Sequence, residues 1–236
     1  MFPLKTLPNL KTKPHLTRFL VFLNVLFFGA QWFFEWTSNW DLASTLGVVP
    51  RCYFVPTGCG IDSLENADSL WVSPLASLFL HGDLLHLGFN LLFLSVFGGG
   101  LEDKVGRVRF LLIYFGGGLM ASAAHVAFNP FSGVPTIGAS GAIAAVLGAY
   151  LVMLPKAWIL SYLPPVFFFP VPAPLFLLVW VLGQVSGAWG DFRFASASEG
   201  GGIAWMAHLG GFAAGTFYAW KLSPWIKKRP EARAKK

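Results

Sequence analysis

Residues 84–100 read Leu84-Leu-His86-Leu-Gly-Phe-Asn90-Leu-Leu-Phe-Leu-Ser95-Val-Phe-Gly-Gly-Gly100, without one Asp, Glu, Lys or Arg. At a rise of 1.5 Å per residue such a stretch makes about 25 Å of helix, close to the roughly 30 Å of hydrocarbon in a bilayer. A helix on the surface of a soluble domain carries charge on its outer face, and this one has none to show. His86 and Asn90, four apart, share one face of it. The whole chain has the same character. Of its 236 residues, 55% are hydrophobic and 12% charged, with a mean hydropathy of +0.61. A soluble domain carries about 25% charged residues. A water-soluble enzyme, a disordered chain and a disulfide scaffold are excluded, the last because the chain has only 2 Cys.

Five further stretches are predominantly apolar, so the expected spans are roughly 17–36, 84–100, 108–128, 140–154, 174–189 and 203–220. The expected fold class is an all-α membrane protein. It is one domain over residues 1–236, with six transmembrane helices, a long first extracytoplasmic loop and short basic tails. Of the 17 Lys and Arg, all but Arg51 and Arg193 fall on one side of this arrangement. The positive-inside rule then puts both termini in the cytoplasm, and the net charge of +6 reads as an orientation signal, not a nucleic-acid patch. The basic start runs straight into the first span, which is expected to act as its own signal anchor. Cys52 and Cys59 lie in the outer segment 37–83, on the oxidising side, where a disulfide can form. The Gly/Ser-rich outer loop 190–202 carries Phe192 and Phe194.

Polar side chains inside apolar spans are costly and mark functional candidates. Here they are Asn24, Gln31, His86, Asn90, His125, Ser140, Gln184 and His208. The alternating direction of the spans puts Ser140, His208, His86 and Asn90 at similar depth near the outer leaflet. A serine hydroxyl is a weak nucleophile that needs a general base within hydrogen-bond reach, and His208 is the candidate. The backbone N–H of Ser140 at a helix N-terminus, with Asn90 and His86, could donate to the oxyanion of acyl transfer. No carboxylate is available inside the membrane to orient the base, so the expectation is a Ser–His dyad. Asn24, Gln31 and Gln184 are read as interhelical hydrogen bonds, His125 as a polar contact near the rim, and His81 as a brace for the first loop.

Three motifs carry a resemblance. His81-Gly-Asp-Leu-Leu-His86-Leu-Gly-Phe-Asn90 is H-x4-H-x3-N, Gly138-Ala-Ser140-Gly141 is G-x-S-G, and Ala207-His208-Leu-Gly-Gly211-Phe-Ala-Ala-Gly215 is A-H-x2-G-x3-G. In this order, on the second, fourth and sixth spans, they resemble the rhomboid intramembrane serine proteases in their basic six-helix bacterial form. The resemblance covers roughly residues 70–220. It implies a six-helix rhomboid-like bundle in a bacterial inner membrane, with Ser140 as nucleophile, His208 as base, and His86 and Asn90 as oxyanion donors. It implies single-pass transmembrane helices as substrates, cut near their outer ends, and no metal or other cofactor. Two positions depart from the pattern. Val72 and Ser73 stand where many members have Trp-Arg, and Ala144 where many have an aromatic that packs beside the base.

Small residues at intervals of four, Ser140/Ala144/Gly148 and Ala207/Gly211/Gly215/Ala219, would let the fourth and sixth spans press together. The fourth span is short, which sets Ser140 below the outer surface and calls for a hydrated cavity, with Phe192 or Phe194 as a plug. Substrate entry is expected past the fifth span, since the Pro-rich stretch 164–174 before it promises few anchoring contacts. Position 142 is Ala, so the G-x-S-x-G elbow of α/β-hydrolases is absent. A non-catalytic rhomboid-like binder or chaperone of membrane helices is the alternative, followed by a transporter, which the lack of intramembrane carboxylates disfavours.

Overall fold

The computed structural model describes residues 1–7, 10, 12–55, 67–165, 167–193 and 204–227. Helices occupy all six expected ranges. They are α1 (His15–Ser38), then α4 (Leu84–Phe93), continuing through a π-helical turn (Leu94–Gly98) into α5 (Gly99–Val105). These are followed by α6 (Arg107–Phe128), α7 (Ser140–Met153), α8 (Ala173–Arg193) and α9 (Trp205–Lys227). Four of them, His15–Ser38, Leu84–Val105, Arg107–Phe128 and Ala173–Asp191, are long and apolar enough to cross a membrane. Their outward faces are apolar too: Phe22, Trp32, Leu112, Leu178 and Val185 are all exposed. A bilayer is the solvent that suits such a surface.

The centre of the bundle is α7. Every residue from Gly141 to Tyr150 is buried, which leaves it no lipid-facing side. It can be enclosed because its neighbours have almost no side chains where they meet it. A methyl group added at Gly211 would collide with the Gly141 carbonyl, one at Gly215 with the Ala145 carbonyl, and one at Gly148 with the Phe212 carbonyl. On the other side, a methyl at Gly117 of α6 would collide with the Ala145 side chain. The close face of α7 is therefore Gly141, Ala145 and Gly148, one residue around from the Ser140/Ala144/Gly148 stripe for the first two members. At 14 residues it spans about 21 Å.

The expectation that helices account for the whole chain is corrected. Three strands, β1 (Phe2–Leu7), β2 (Trp158–Leu163) and β3 (Phe167–Pro172), form an antiparallel sheet in the order β1-β2-β3. Pro3, Pro170 and Pro172 all sit on edge strands, where the missing N–H breaks no central ladder. The first of the basic tails is thus partly a strand, with Phe2 stacked on Phe89 at 5.8 Å and on Tyr162 at 6.4 Å. The stretch before α8 is also tied down more firmly than its prolines implied. Pro170 pairs with Leu160, Pro172 with Trp158, and the Ala173 amide donates to the Ala157 carbonyl at 2.9 Å.

A buried carboxylate fixes the start of α1. Glu102 accepts hydrogen bonds from the amides of Leu16 and Thr17, at 3.1 and 2.8 Å, and from the Thr17 hydroxyl at 2.8 Å. These amides belong to the first turn, which has no intrahelical acceptors of its own. The segment between α1 and α4 holds α2 (Leu42–Leu46), a 3-10 turn (Pro50–Tyr53), α3 (Ala67–Ala76) and a second 3-10 turn (Ser77–Phe79). Cys52 in the first of these turns is buried and disulfide-bonded. Cys59, the other cysteine of the sequence, lies outside the described residues.

Candidate active site

Ser140 is the first residue of α7, so its amide has no acceptor within the helix. The strand of loop leading to it is pinned from three sides. The Gly138 amide donates to the Ser77 carbonyl at 2.8 Å, and the Arg51 amide to the Ser132 carbonyl at 2.9 Å. Val48 and Thr136 exchange backbone hydrogen bonds at 3.0 and 2.8 Å. Gly138 has φ +117°, a conformation that side chains other than glycine's rarely adopt. The segment between α1 and α4 therefore holds the approach to Ser140 in place.

His208 lies in the second turn of α9, half-buried, and its Nε2 is 2.8 Å from the Ser140 hydroxyl oxygen. The glycine contacts described above bring the two helices this close. Gly211 comes one turn after His208 and abuts Gly141, the residue after Ser140. At the other ring nitrogen, His208 Nδ1 is 2.7 Å from the Gln184 amide oxygen of α8. The rings of Trp180 and Trp205 flank the imidazole, with centroids at 6.1 and 6.5 Å. Gln184 is thus the one expected interhelical bond that ends on a candidate site residue.

His86 and Asn90 approach from α4, whose first turn is capped by Asp83 Oδ1 accepting from the His86 amide at 2.7 Å. Both side chains face Gly138, two residues before Ser140. A methyl group there would lie 2.7 Å from His86 Nε2 and 3.6 Å from Asn90 Nδ2. His86 Nδ1 accepts from the Gly82 amide at 3.4 Å, so the ring proton belongs on Nε2, the nitrogen turned towards Gly138. The buried Asn90 Nδ2 has no hydrogen-bond partner. Among the described residues neither side chain bonds Ser140 or His208 directly; the two pairs meet across the loop at Gly138.

The other polar residues divide by partner. Gln31 clamps the backbone of His81 at both ends: its amide donates to the His81 carbonyl and its oxygen accepts from the His81 amide, each at 3.0 Å. Asn24 donates to the Leu20 carbonyl of its own helix at 2.7 Å, and its side chain also meets the Tyr114 hydroxyl of α6. His125 makes the polar contacts expected of it. Its Nε2 is 2.8 Å from the Thr136 hydroxyl and its Nδ1 3.3 Å from the Asn129 amide. It lines a small cavity with Ser122, Thr136, Gly138 and Ser140. Neither Ser122 nor His125 belongs to a sequence motif, and only the packing of α6 against α7 brings them here. Residues 194–203, Phe194 among them, lie outside the described residues, as does the side chain of Phe192. The helix α8 runs on to Arg193, past the expected start of the loop at Gly190. No cluster of three His, Cys, Asp or Glu side chains suited to a metal occurs among the described residues.

Comparison with known proteins bears on the same stretch of chain. Rhomboid protein 1, mitochondrial, of Saccharomyces cerevisiae is 32% identical over 166 residues, which is 69% of this chain and 45% of the yeast protein. Rhomboid protease GluP of Bacillus subtilis is 42% identical over 85 residues, 36% of this chain and 16% of GluP. Putative rhomboid protease YdcA of the same organism is 35% identical over 92 residues, 39% of this chain and 46% of YdcA. The chain thus covers less than half the length of each of these relatives. The family model for the Rhomboid domain matches residues 69–225. That match begins in α3, takes in every helix from α4 to α9, and covers more than half of the sequence: the chain is an integral membrane protein of the rhomboid family.

Proposed function

We propose that this protein is an intramembrane serine endopeptidase that cuts single-pass transmembrane helices near their outer ends. The observation that carries the reading is the 2.8 Å contact between the Ser140 hydroxyl and His208 Nε2. The relatives named as rhomboid proteases support it. In this mechanism Ser140 Oγ attacks the scissile carbonyl carbon while its proton passes to His208 Nε2. The carbonyl oxygen becomes an oxyanion that accepts hydrogen bonds from the Ser140 amide, Asn90 Nδ2 and His86 Nε2. As the intermediate collapses, the C–N bond breaks and His208 returns the proton to the leaving amine. Water then attacks the Ser140 ester while His208 takes its proton, and His208 returns that proton to Ser140 Oγ as the ester C–O bond breaks and the carboxylic acid leaves. In the small cavity that Ser140 shares with Ser122, His125 and Thr136, these side chains offer hydrogen-bond partners for that water.

The proposal includes six membrane crossings, both termini in the cytoplasm, and a bacterial inner membrane as the site of action. The short α7 then sets Ser140 within the outer leaflet. Substrate entry is proposed past α8, whose outward Leu175, Leu178, Leu182 and Val185 face lipid.

The test is a fluorophosphonate probe and a fluorescent transmembrane-helix substrate, applied to the purified protein with Ser140→Ala and His208→Ala as controls. Labelling and cleavage that both controls abolish are expected. Absence of Ser140-dependent labelling together with absence of cleavage would overturn the reading and leave a non-catalytic binder of membrane helices.

A further inference from the structure

We infer that Gln184 of α8 is a positioning residue for His208, selecting the imidazole tautomer whose Nε2 is free to take the Ser140 proton. The inference rests on the reading of Ser140 and His208 as nucleophile and base.

The argument is one of donors and acceptors. The imidazole is held at both nitrogens, by Gln184 Oε1 at 2.7 Å and by the Ser140 hydroxyl at 2.8 Å. A neutral imidazole has one N–H donor and one acceptor nitrogen, so the two contacts must play opposite parts. The far end of the Gln184 amide decides which is which. Its Nε2 donates to the Trp180 carbonyl of its own helix at 3.3 Å, and a carbonyl can only accept. The amide oxygen is therefore the atom turned to His208, and it too can only accept. The ring proton must sit on Nδ1, and the lone pair of Nε2 faces the Ser140 hydroxyl. A general base needs that arrangement.

The same turn of α8 supplies a second restraint. Trp180 and Gln184, four residues apart, lie on one face of the helix. The Trp180 ring lies beside the imidazole, tilted at 38° with centroids 6.1 Å apart. Ala144 of α7 has no ring to offer, so the aromatic neighbours of His208 come from α8 and α9. When His208 takes the proton, its Nδ1–H bond to the amide oxygen becomes charge-assisted and strengthens. Gln184 does part of the work of the triad carboxylate without placing a charge in the membrane, and it makes the state of the base depend on the docking of α8.

Two measurements on the purified full chain test this. In the first, 15N-histidine NMR, with His208→Gln for assignment, reads the tautomer without reference to activity. The wild type is expected to carry the His208 proton on Nδ1, and Gln184→Met to lose that preference. In the second, cleavage of the helix substrate is followed against pH. Gln184→Met is expected to lower kcat about tenfold to a hundredfold with KM little changed, since a bond to a charged group is lost. It should also move the acid limb of the kcat profile to lower pH. Gln184→Glu should restore kcat and move that limb to higher pH. A merely structural role would change thermal stability or KM and leave the acid limb in place. An Nε2–H tautomer in the wild type, or a folded Gln184→Met with wild-type tautomer and pH profile, overturns the inference. If the tautomer follows Gln184 but no variant or wild type cleaves or labels, the protease reading fails and only the selection of the His208 tautomer by Gln184 stands.

Discussion

The closest test of the architecture is a single methyl group at Gly211. That position abuts the Gly141 carbonyl, and Gly211→Ala would place a carbon well inside the van der Waals distance of its oxygen. Carbon contacts settle at about 3.5 Å, so α9 must retreat from α7 by about 1 Å at this level. The retreat falls one turn from His208 and one residue from Ser140, and it lengthens a 2.8 Å hydrogen bond to beyond 3.5 Å, where it no longer holds. Misplacing a reacting group by about 1 Å typically costs about a hundredfold in rate. Overpacking a buried helix contact costs about 1–3 kcal/mol of stability. The expected outcome is therefore a folded protein with lower thermal stability in detergent and about a hundredfold slower fluorophosphonate labelling and cleavage. Gly29→Ala is the control, because nothing lies within 4 Å of the methyl it adds. A folded Gly211→Ala with wild-type labelling rate would refute the claim that glycine packing sets the Ser140–His208 distance.

Gly138→Ala introduces a methyl 2.7 Å from His86 Nε2 at a φ of +117°, and should abolish cleavage while leaving the bundle folded, as read by thermal unfolding. Glu102→Ala strips the first turn of α1 of its acceptor and should cost about 1–3 kcal/mol; unchanged unfolding in detergent would argue against the capping role. Gln31→Leu leaves both backbone groups of His81 unpaired and should cost about 2 kcal/mol or more, with cleavage falling only as the fold does. His81 lies outside the spans, and burial, aided by neighbouring His86, pushes its imidazole down from 6.5 to about 4. The unfolded chain takes up that proton near pH 6.5 and the folded one only near 4, so stability is full at pH 7 and declines as pH falls between these values. The whole effect is about 3 kcal/mol. Thermal unfolding of wild type and His81→Gln at pH 7 and pH 5 should diverge, with the wild type losing more; parallel losses would refute the assignment.

The hairpin β2–β3 was open to a sequence reading that asked for it. Trp158-Ile-Leu-Ser-Tyr-Leu and Phe167-Phe-Phe-Pro-Val-Pro are aromatic and β-branched runs on either side of Pro164-Pro165, a strand–turn–strand signal. Its prolines instead suggested a loose connector, because edge positions cannot be told from central ones until the partner strands are known. The same limit hid the role of Gln184. An isolated glutamine on an apolar helix reads as an interhelical bond, and which helix it meets depends on the rotation of α8 about its axis. The cavity that Ser122 and His125 share with Ser140 was hidden for a like reason, since neither has a motif partner along the chain.

By itself, the sequence determined the properties that are local or additive. Charge scarcity called for a bilayer, apolar runs marked the helices, and the small residues of the fourth and sixth spans marked where two backbones could touch. Motif spacing along single helices carried the kinship. Only the tertiary structure decided what required relative rotation and register between distant segments. It rotated the close face of α7 to Gly141 and Ala145, set the N-terminal strand beside β2, and brought Gln184 to the far nitrogen of His208. Helical periodicity tells which residues share a face, but the neighbour that face meets is settled by the packing of all the helices at once.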